Sequence, residues 1–104
     1  MDISINALDD HLDAAAHLMN MLSQPVRLKV LCHLLGSEKS VQVLTEICGL
    51  SQPAMSHHLA KLRAAELVKT RRDGQTIYYS VASKEAEAVL SVLHKIYCAP
   101  TQIS

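Results

Sequence analysis

The sequence contains no tryptophan or phenylalanine and only three tyrosines in 104 residues. Because aromatic rings are so scarce, the interior must be filled mainly by Leu, Val, Ile, Ala and Met, which suits close-packed helices. Apolar residues make up 49% of the chain, and a chain of this length supports one compact core but not two. These limits favour a single α-rich domain spanning residues 1–104.

The sequence also lacks a long apolar run. No segment approaches the roughly 18 residues needed to span a bilayer, and the acidic start lacks the basic-then-apolar pattern of a secretory signal. We therefore expect a cytoplasmic protein with no membrane contact. In that reducing compartment the three cysteines do not predict a disulfide framework, and their odd number and wide spacing match no zinc-finger pattern.

An excess of charge of either sign is absent, since ten basic residues balance ten acidic ones. A neutral chain argues at first against a nucleic-acid partner, because non-specific DNA affinity depends on Lys and Arg neutralising phosphates. The charges are unevenly distributed, however. The first twenty residues carry only acidic formal charges, whereas residues 61–72 hold five basic residues and one acidic residue, Glu66. This basic segment is the candidate nucleic-acid contact.

Helical spacing of apolar residues predicts four helices in succession. The first is amphipathic, and its apolar side carries Leu8, Leu12, Ala15, Ala16, Met19 and Leu22. Ser23 is the predicted N-cap of the second helix, which carries Cys32 on or beside its buried face. Ser40 is predicted to cap a short third helix that ends at Gly49, and Ser51 to cap the fourth.

A β-hairpin is predicted directly after these helices. The apolar period changes to that of strands in residues 68–72 and 76–81, with the turn signal Asp-Gly at 73–74 between them. Residues 67–81 therefore form a predicted wing behind a helix-turn-helix at 40–66.

A last helix is predicted over residues 83–98, capped by Ser83, and the tail at 99–104 is expected to be loose. The resulting fold class is mainly α with a small β-hairpin. It is a winged helix-turn-helix with five helices and one wing.

The outward side of the fourth helix carries the candidates for DNA recognition. Small and polar residues there suit a helix that enters the major groove, about 12 Å wide. The predicted base contacts are Gln52, Ser56 and His57. The predicted phosphate contacts are Ser51, Lys61, Arg63, Arg71 and Arg72. A polar helix face alone is more often merely solvated, but helix, turn, helix and basic hairpin in succession favour double-stranded DNA as the partner.

The segment Ser51–Val68, SQPAMSHHLAKLRAAELV, with the following TRRDGQTIYYSV, resembles the recognition helix and wing of the ArsR/SmtB family of bacterial repressors. The resemblance covers nearly the whole chain from Ser23 onward. It implies a DNA-binding transcriptional repressor, not an enzyme, that forms a homodimer through its first and last helices, 1–22 and 83–98. The sequence departs from the family pattern at Glu66, where glycine is usual, so this residue is expected to need a left-handed backbone at some energetic cost.

The switch of such a repressor has to be sought among the cysteines. Metal-sensing members of the family carry a close cysteine motif in the third helix or an Asp/His set in the last. Here the third helix has only Cys48 and the last helix has one imidazole, His94, so no metal or cofactor is predicted. Cys32 and Cys98, in the contexts LCHLLGS and LHKIYCAP, instead resemble the cysteines of the persulfide- and redox-sensing branch. That resemblance implies that reactive sulfur species or oxidants link the two thiols and lower operator affinity.

Histidines near the two thiols are candidates for tuning their reactivity. The thiolate is the attacking species, and a helix C-terminus, where Cys98 lies, disfavours negative charge. A protonated His94, four residues before Cys98, or His33, beside Cys32, would lower a thiol pKa. A lone surface histidine is more often just solvated.

Two other functions remain open from the sequence. One is a metal-responsive repressor of the same family that uses Cys32, Cys98 and His94, with His33 as a further candidate ligand. The other is a thiol redox enzyme, which neither a CxxC motif nor an acid/base set supports. Cys48 is interpreted as a packed or partly exposed residue with no role in sensing.

Overall fold

The structure, a computed structural model, describes residues 5–98. The first four residues and the predicted loose tail at 99–104 lie outside the described residues. In chain order the elements are α1 Ile5–Asp9, α2 Leu12–Leu22, α3 Pro25–Leu34, β1 Lys39–Ser40, α4 Val41–Cys48, α5 Gln52–Ala64, β2 Val68–Asp73, β3 Thr76–Val81 and α6 Lys84–Tyr97. The predicted fold class, a mainly α winged helix-turn-helix, is confirmed. The described part has six helices where five were expected.

The additional helix comes from the N-terminal segment, where the single predicted helix is divided into α1 and α2. The chain turns at Asp10 and His11, and the His11 amide donates to the Leu8 carbonyl at 2.9 Å. Two consecutive aspartates, Asp9 and Asp10, disfavour a continuous helix because their short side chains compete for backbone hydrogen bonds. The apolar spacing continues across this break, which explains why periodicity alone predicts one helix.

The prediction that Ser23 caps the second helix is wrong. Ser23 has helical backbone angles, φ −78° and ψ −8°, and both its amide and its hydroxyl donate to the Asn20 carbonyl, closing α2. Gln24 has the extended backbone that an N-cap requires, and its Oε1 accepts the amide hydrogen of Arg27 at 2.9 Å. Gln24 therefore caps α3, with Pro25 in the first turn.

The other predicted caps are confirmed. The hydroxyl oxygens of Ser40, Ser51 and Ser83 accept hydrogen bonds from backbone amides three residues later, at 3.2, 3.3 and 3.0 Å. Gly49 ends α4 in the left-handed conformation, with φ 66°. These caps define where α4 and α5 begin, and therefore where the first turn of each helix meets solvent.

The wing is a three-stranded antiparallel sheet, because β1 adds to the predicted hairpin of β2 and β3. Strand β3 is central, and its Tyr79 pairs with Lys39 of β1 and Thr70 of β2. Gly74 turns the hairpin with φ 63°. A strand of two residues has no readable alternation of apolar and polar positions, so the sequence does not predict β1. Since β1 directly precedes α4, the sheet attaches the wing to the helix-turn-helix.

The expected left-handed residue after α5 is present, because Glu66 has φ 62°. The amides of Glu66 and Leu67 donate to the carbonyls of Arg63 and Leu62 at 2.9 and 3.0 Å, which closes the helix. This reversal lets the chain leave α5 and enter β2, so the connection itself requires the left-handed backbone.

The hydrophobic core lies where α3, α4, α5 and α6 meet. Its fully buried side chains are Val30, Leu31, Leu34, Leu44, Met55, Leu59, Leu62, Ala86 and Leu90. All of these are aliphatic or methionine, as the scarcity of aromatic residues predicts. Helix α3 is central, since it contacts α2, α4, α5 and β3. Within the described range, none of the helices is both long enough and apolar enough to cross a membrane.

Candidate DNA-binding surface and thiol cavity

Helix α5 presents a polar outer side to solvent. Its apolar side chains are buried in the core, at Met55, Leu59 and Leu62. The predicted base contacts Gln52, Ser56 and His57 are all exposed. The hydroxyl of Ser51 accepts the amide hydrogen of Ala54, and its own hydrogen is still able to donate to a phosphate. This geometry suits insertion of the first turns of α5 into a major groove.

A polar cleft joins the first turns of α4 and α5 to the tip of the wing. It has a volume of about 420 Å³ and is lined by Ser40, Val41, Gln42, Gln52, Gln75, Thr76 and Ile77. The N-termini of both helices reach the cleft, and their partial positive charge favours phosphate oxygens. Sequence reasoning misses Gln42 and Gln75, because they come together only when the wing folds over the helices.

The basic residues of this surface are not equivalent. Lys61, Arg63 and Arg72 are exposed. The Nε of Arg71 donates to both carboxylate oxygens of Glu38, at 3.1 and 3.2 Å, and its Nη2 also donates to this carboxylate. The guanidinium carbon lies 4.7 Å from the centre of the Tyr78 ring. Arg71 is therefore already paired within the chain.

The Arg71–Glu38 ion pair spans the sheet, since Glu38 directly precedes β1 and Arg71 lies in β2. The hydrogen bond from Arg71 holds the pKa of the Glu38 carboxyl below its ordinary value, so both groups are charged at neutral pH. Both side chains are exposed, and such pairs contribute little to stability. The pair matters more for binding: the charge of Arg71 is compensated before DNA arrives, whereas no carboxylate among residues 5–98 pairs with Arg72.

His57 and His58, which are adjacent on α5, have different surroundings. His57 is exposed, and the two ring centres lie 6.0 Å apart. The Nδ1 of His58 is buried and has no hydrogen-bond partner among the described residues. Burial, and then the positive charges of Arg27, His57 and Lys61, lower the pKa of His58. His58 is therefore neutral at pH 7 and packs at the edge of the core.

The two predicted sensing thiols line one cavity, which we call the thiol cavity. It lies between α3 and α6, has a volume of about 330 Å³ and is lined by Leu28, Cys32, Leu35, Leu93, His94, Tyr97 and Cys98. Cys32 belongs to α3, and Cys98 directly follows α6. Both are free thiols in this structure.

The two thiols interact electrostatically across this cavity. Cys32 is exposed in the isolated chain, yet partial burial raises the pKa of its thiol, and charge on Cys98 raises it further. When Cys98 is ionised, Cys32 therefore resists ionisation more strongly. At pH 7 Cys32 is predominantly in the thiol form.

The two candidate tuning histidines lie in different places. His94 lines the thiol cavity, and its carbonyl oxygen accepts the amide hydrogen of Cys98 at 2.8 Å. His33 is exposed and does not line the cavity. Of the two, only His94 lines the cavity that the thiols share.

Cys48 lies elsewhere, at the end of α4, where it packs half-buried against the core. Burial raises the pKa of its thiol, opposed by the charge of Lys29. Between residues 5 and 98, no three His, Cys, Asp or Glu side chains come together in a group that would hold a metal ion. The metal-responsive alternative through Cys32, Cys98 and His94 therefore gains no support from the arrangement of these side chains.

Helices α2 and α6 leave large apolar side chains exposed. The exposed fractions are 48% for Leu12 and 56% for Met19 on α2, and 53% for Val92, 64% for Ile96 and 80% for Tyr97 on α6. Single exposed apolar residues are common in folded proteins, whereas contiguous apolar patches are typical of interaction surfaces.

Comparison with known proteins identifies the family of this chain. Residues 24–70 match the family described as bacterial regulatory protein, arsR family. The transcriptional activator HlyU of Vibrio cholerae is 37% identical over 100 residues, which cover 96% of this chain and 93% of the relative. Reduced HlyU has a solved structure with a TM-score of 0.86 and 38% identity, over 90% of this chain and 99% of that chain. The transcriptional repressor BigR of Xylella fastidiosa has a TM-score of 0.86 and 33% identity, over 93% and 99%.

This chain belongs to the ArsR family. It is a winged-helix transcriptional regulator, the class that the helix-turn-helix and wing define. The relatives are regulators of transcription, which gives no support to the thiol-enzyme alternative.

Proposed function

We propose that this chain is a homodimeric repressor whose affinity for double-stranded operator DNA falls when reactive sulfur species or oxidants link Cys32 and Cys98. The observation that carries this proposal is the thiol cavity, where two cysteines distant in sequence line one space between α3 and α6. A reagent that reacts with both cysteines connects the central helix of the core to the last helix.

The exposed apolar side chains of α2 and α6 support the homodimer. These residues fall within the predicted dimerisation segments, 1–22 and 83–98, and a second copy of the chain would remove them from water. A two-fold dimer presents two α5 helices to half-sites about 34 Å apart on DNA.

Operator binding is assigned to α5 and the wing. Base edges are contacted by Gln52, Ser56 and His57, which are exposed at the start of α5. Phosphates are contacted by Ser51, Lys61, Arg63 and Arg72, with the weaker contribution of the paired Arg71. The polar cleft beside the wing accommodates the adjoining backbone of the DNA.

Linking the two thiols is a two-electron oxidation. One cysteine thiolate attacks the outer sulfur of a persulfide RSSH and expels RS⁻, leaving a protein persulfide. The second cysteine attacks the protein cysteine sulfur and expels HS⁻. Two thiols and RSSH thus become one disulfide, RSH and H₂S, and hydrogen peroxide would give the same disulfide with two waters. A direct disulfide needs Cα atoms within about 7 Å, and a chain with additional sulfur atoms relaxes that limit.

The effect of a covalent link between the two cysteines is transmitted to the DNA-binding surface by the packing of α3 against α5. Helix α3 contacts α5, while α6 carries the exposed apolar side chains. Tying Cys98 to Cys32 therefore shifts the proposed dimer helix relative to the DNA-reading helix and changes the distance between the two α5 helices. The coupling is reciprocal, so bound operator should slow or disfavour linkage.

The test combines intact mass with DNA-binding titrations. A duplex selected from a randomised pool by the reduced protein serves as the operator, and the protein is treated separately with inorganic polysulfide and hydrogen peroxide. We expect a Cys32–Cys98 link and weaker DNA binding in the wild type and in the control Cys48→Ser. The double variant Cys32→Ser/Cys98→Ser should keep its affinity after treatment. Equal loss of affinity in the double variant, or a link without loss of affinity, would contradict the proposal.

A further inference from the structure

We infer that the thiol cavity selects small, uncharged effectors, of the class of low-molecular-mass organic polysulfides, over effectors that carry fixed charges. This inference rests on the proposed function, because it concerns which reagents reach Cys32 and Cys98.

The lining of the cavity carries the argument. Apart from the two thiols it consists of Leu28, Leu35, Leu93, Tyr97 and one imidazole, His94. None of the described residues that line it is Lys, Arg, Asp or Glu. Cys32, His94 and Cys98 are exposed, so the cavity is open to solvent on one side. A carboxylate or ammonium group placed against the apolar lining loses part of its hydration and finds no opposite charge there, which costs free energy. An apolar reagent has no such cost, and its burial is favourable.

The size of the cavity acts in the same direction. Its volume of about 330 Å³ lies near the lower end of small-molecule sites, which range over roughly 300–1,000 Å³. A dialkyl trisulfide is much smaller than a peptide trisulfide, so it is able to bring its sulfur atoms to the thiols while its alkyl groups contact the leucines.

The reaction with a trisulfide R–S–S–S–R balances without a further reagent. One cysteine loses its proton and attacks a terminal sulfur; the S–S bond beside it breaks, and RSS⁻ leaves and takes up the proton as RSSH. The second cysteine attacks the protein sulfur of the mixed disulfide and expels RS⁻, which takes up its proton as RSH. Two thiols are oxidised to one disulfide, and the trisulfide is reduced to RSSH and RSH.

The experiment compares two trisulfides that differ in charge. Reduced Cys48→Ser protein is treated with dimethyl trisulfide or glutathione trisulfide at one pH, and linkage of Cys32 to Cys98 is followed by quenched intact mass. The same two rate constants are measured on this protein unfolded in urea, which gives the intrinsic preference of the thiols. We expect the ratio of the neutral to the charged rate constant to be at least about tenfold higher in the folded protein.

Variants at His94 test whether charge at the cavity sets the ratio. His94 lines the cavity and is exposed, so His94→Lys and His94→Glu change the charge there with little effect on packing. We expect His94→Lys to lower the ratio, because a lysine attracts the carboxylates of glutathione trisulfide, and His94→Glu to raise it. Changes in thiol reactivity cancel, since both reagents meet the same thiols. The control Ala82→Lys adds a positive charge at an exposed position between β3 and α6, away from the thiol cavity and the DNA-binding surface, and should leave the ratio unchanged.

The outcomes separate this inference from the proposed function. If both trisulfides link the cysteines and weaken DNA binding, but the folded and unfolded ratios are equal, the selectivity is refuted and the proposed function stands. If the ratio of the neutral to the charged rate constant is higher in the folded protein but does not change in the His94 variants, charge at the cavity is refuted as the cause of the selectivity. If neither trisulfide links Cys32 to Cys98 in the folded protein but inorganic polysulfide or hydrogen peroxide does, the inference fails and the proposed function stands. If none of these reagents links the two cysteines, both fail.

Discussion

The raised pKa of Cys32 predicts how its reactivity depends on pH. The ordinary value for a thiol is 9.0, and burial together with Cys98 places Cys32 above it. At pH 7 the thiolate is therefore less than about 1% of Cys32, and the rate constant for alkylation should rise about tenfold per pH unit from pH 6 to pH 8. No plateau is expected in that range.

A variant at Cys98 separates the two causes of the shift. Cys98→Ser removes the negative charge that opposes ionisation of Cys32 but leaves the larger cause, burial, in place. This charge acts only at a pH at which Cys98 is ionised, so the alkaline part of the Cys32 profile should move to lower pH. Cys48→Ser serves as the matched control, since Cys48 lies outside the thiol cavity, and it should leave the profile unchanged.

The assay is timed alkylation of the reduced protein with iodoacetamide, from pH 6 to pH 10, with peptide mass spectrometry to isolate Cys32. A plateau below pH 8 would show that the pKa is not raised, and burial in the cavity would then be refuted as a control on reactivity. An unchanged profile in Cys98→Ser would refute the electrostatic interaction between the two sulfurs.

Three further predictions concern DNA affinity and stability. Arg72→Ala should reduce the slope of log affinity against log salt concentration by about 0.9. Arg71→Ala should reduce this slope by less, because Glu38 already compensates the charge of Arg71. Fluorescence anisotropy at several salt concentrations measures both slopes, and equal slopes for the two variants would contradict the prediction. Glu66→Gly should stabilise the protein by up to about 1 kcal/mol, because glycine adopts φ 62° without the cost paid by glutamate; a urea midpoint that fails to rise would refute this. The pKa of His58 is lowered on folding, so the unfolded chain binds its proton more readily and stability is lost as pH falls through 6.5. Thermal midpoints of His58→Gln should therefore fall less than those of the wild type between pH 7 and pH 5, and parallel curves would count against this account.

Local patterns predict most of the helical framework. The caps Ser40, Ser51 and Ser83 each bind an amide three residues later, so the sequence contains both partners of the interaction. The boundary between α2 and α3 depends on residues that are further apart in the sequence. There the Nε of Arg27 donates to the Met21 carbonyl at 2.9 Å, which holds the end of α2 and the start of α3 in one arrangement.

The candidate site divides in the same way. The exposed positions of Gln52, Ser56 and His57 follow from the apolar period of α5, which tertiary structure confirms by burying the opposite side. The ion pair between Arg71 and Glu38 cannot be predicted from the spacing of apolar residues. Glu38 lies just before β1, and it comes close to Arg71 of β2 only because of the order of the strands in the sheet.

The sequence by itself determined the capped starts of α4, α5 and α6, the hairpin turn, the outward residues of α5 and, through family resemblance, which two cysteines to consider. Only the tertiary structure decided that Cys32 and Cys98 share an apolar cavity, that His94 and not His33 lines this cavity, and that Arg71 is paired. The reason is physical: caps, turns and helical periods depend on neighbours within a few residues, whereas a cavity and its electrostatic environment depend on how α3 and α6 pack.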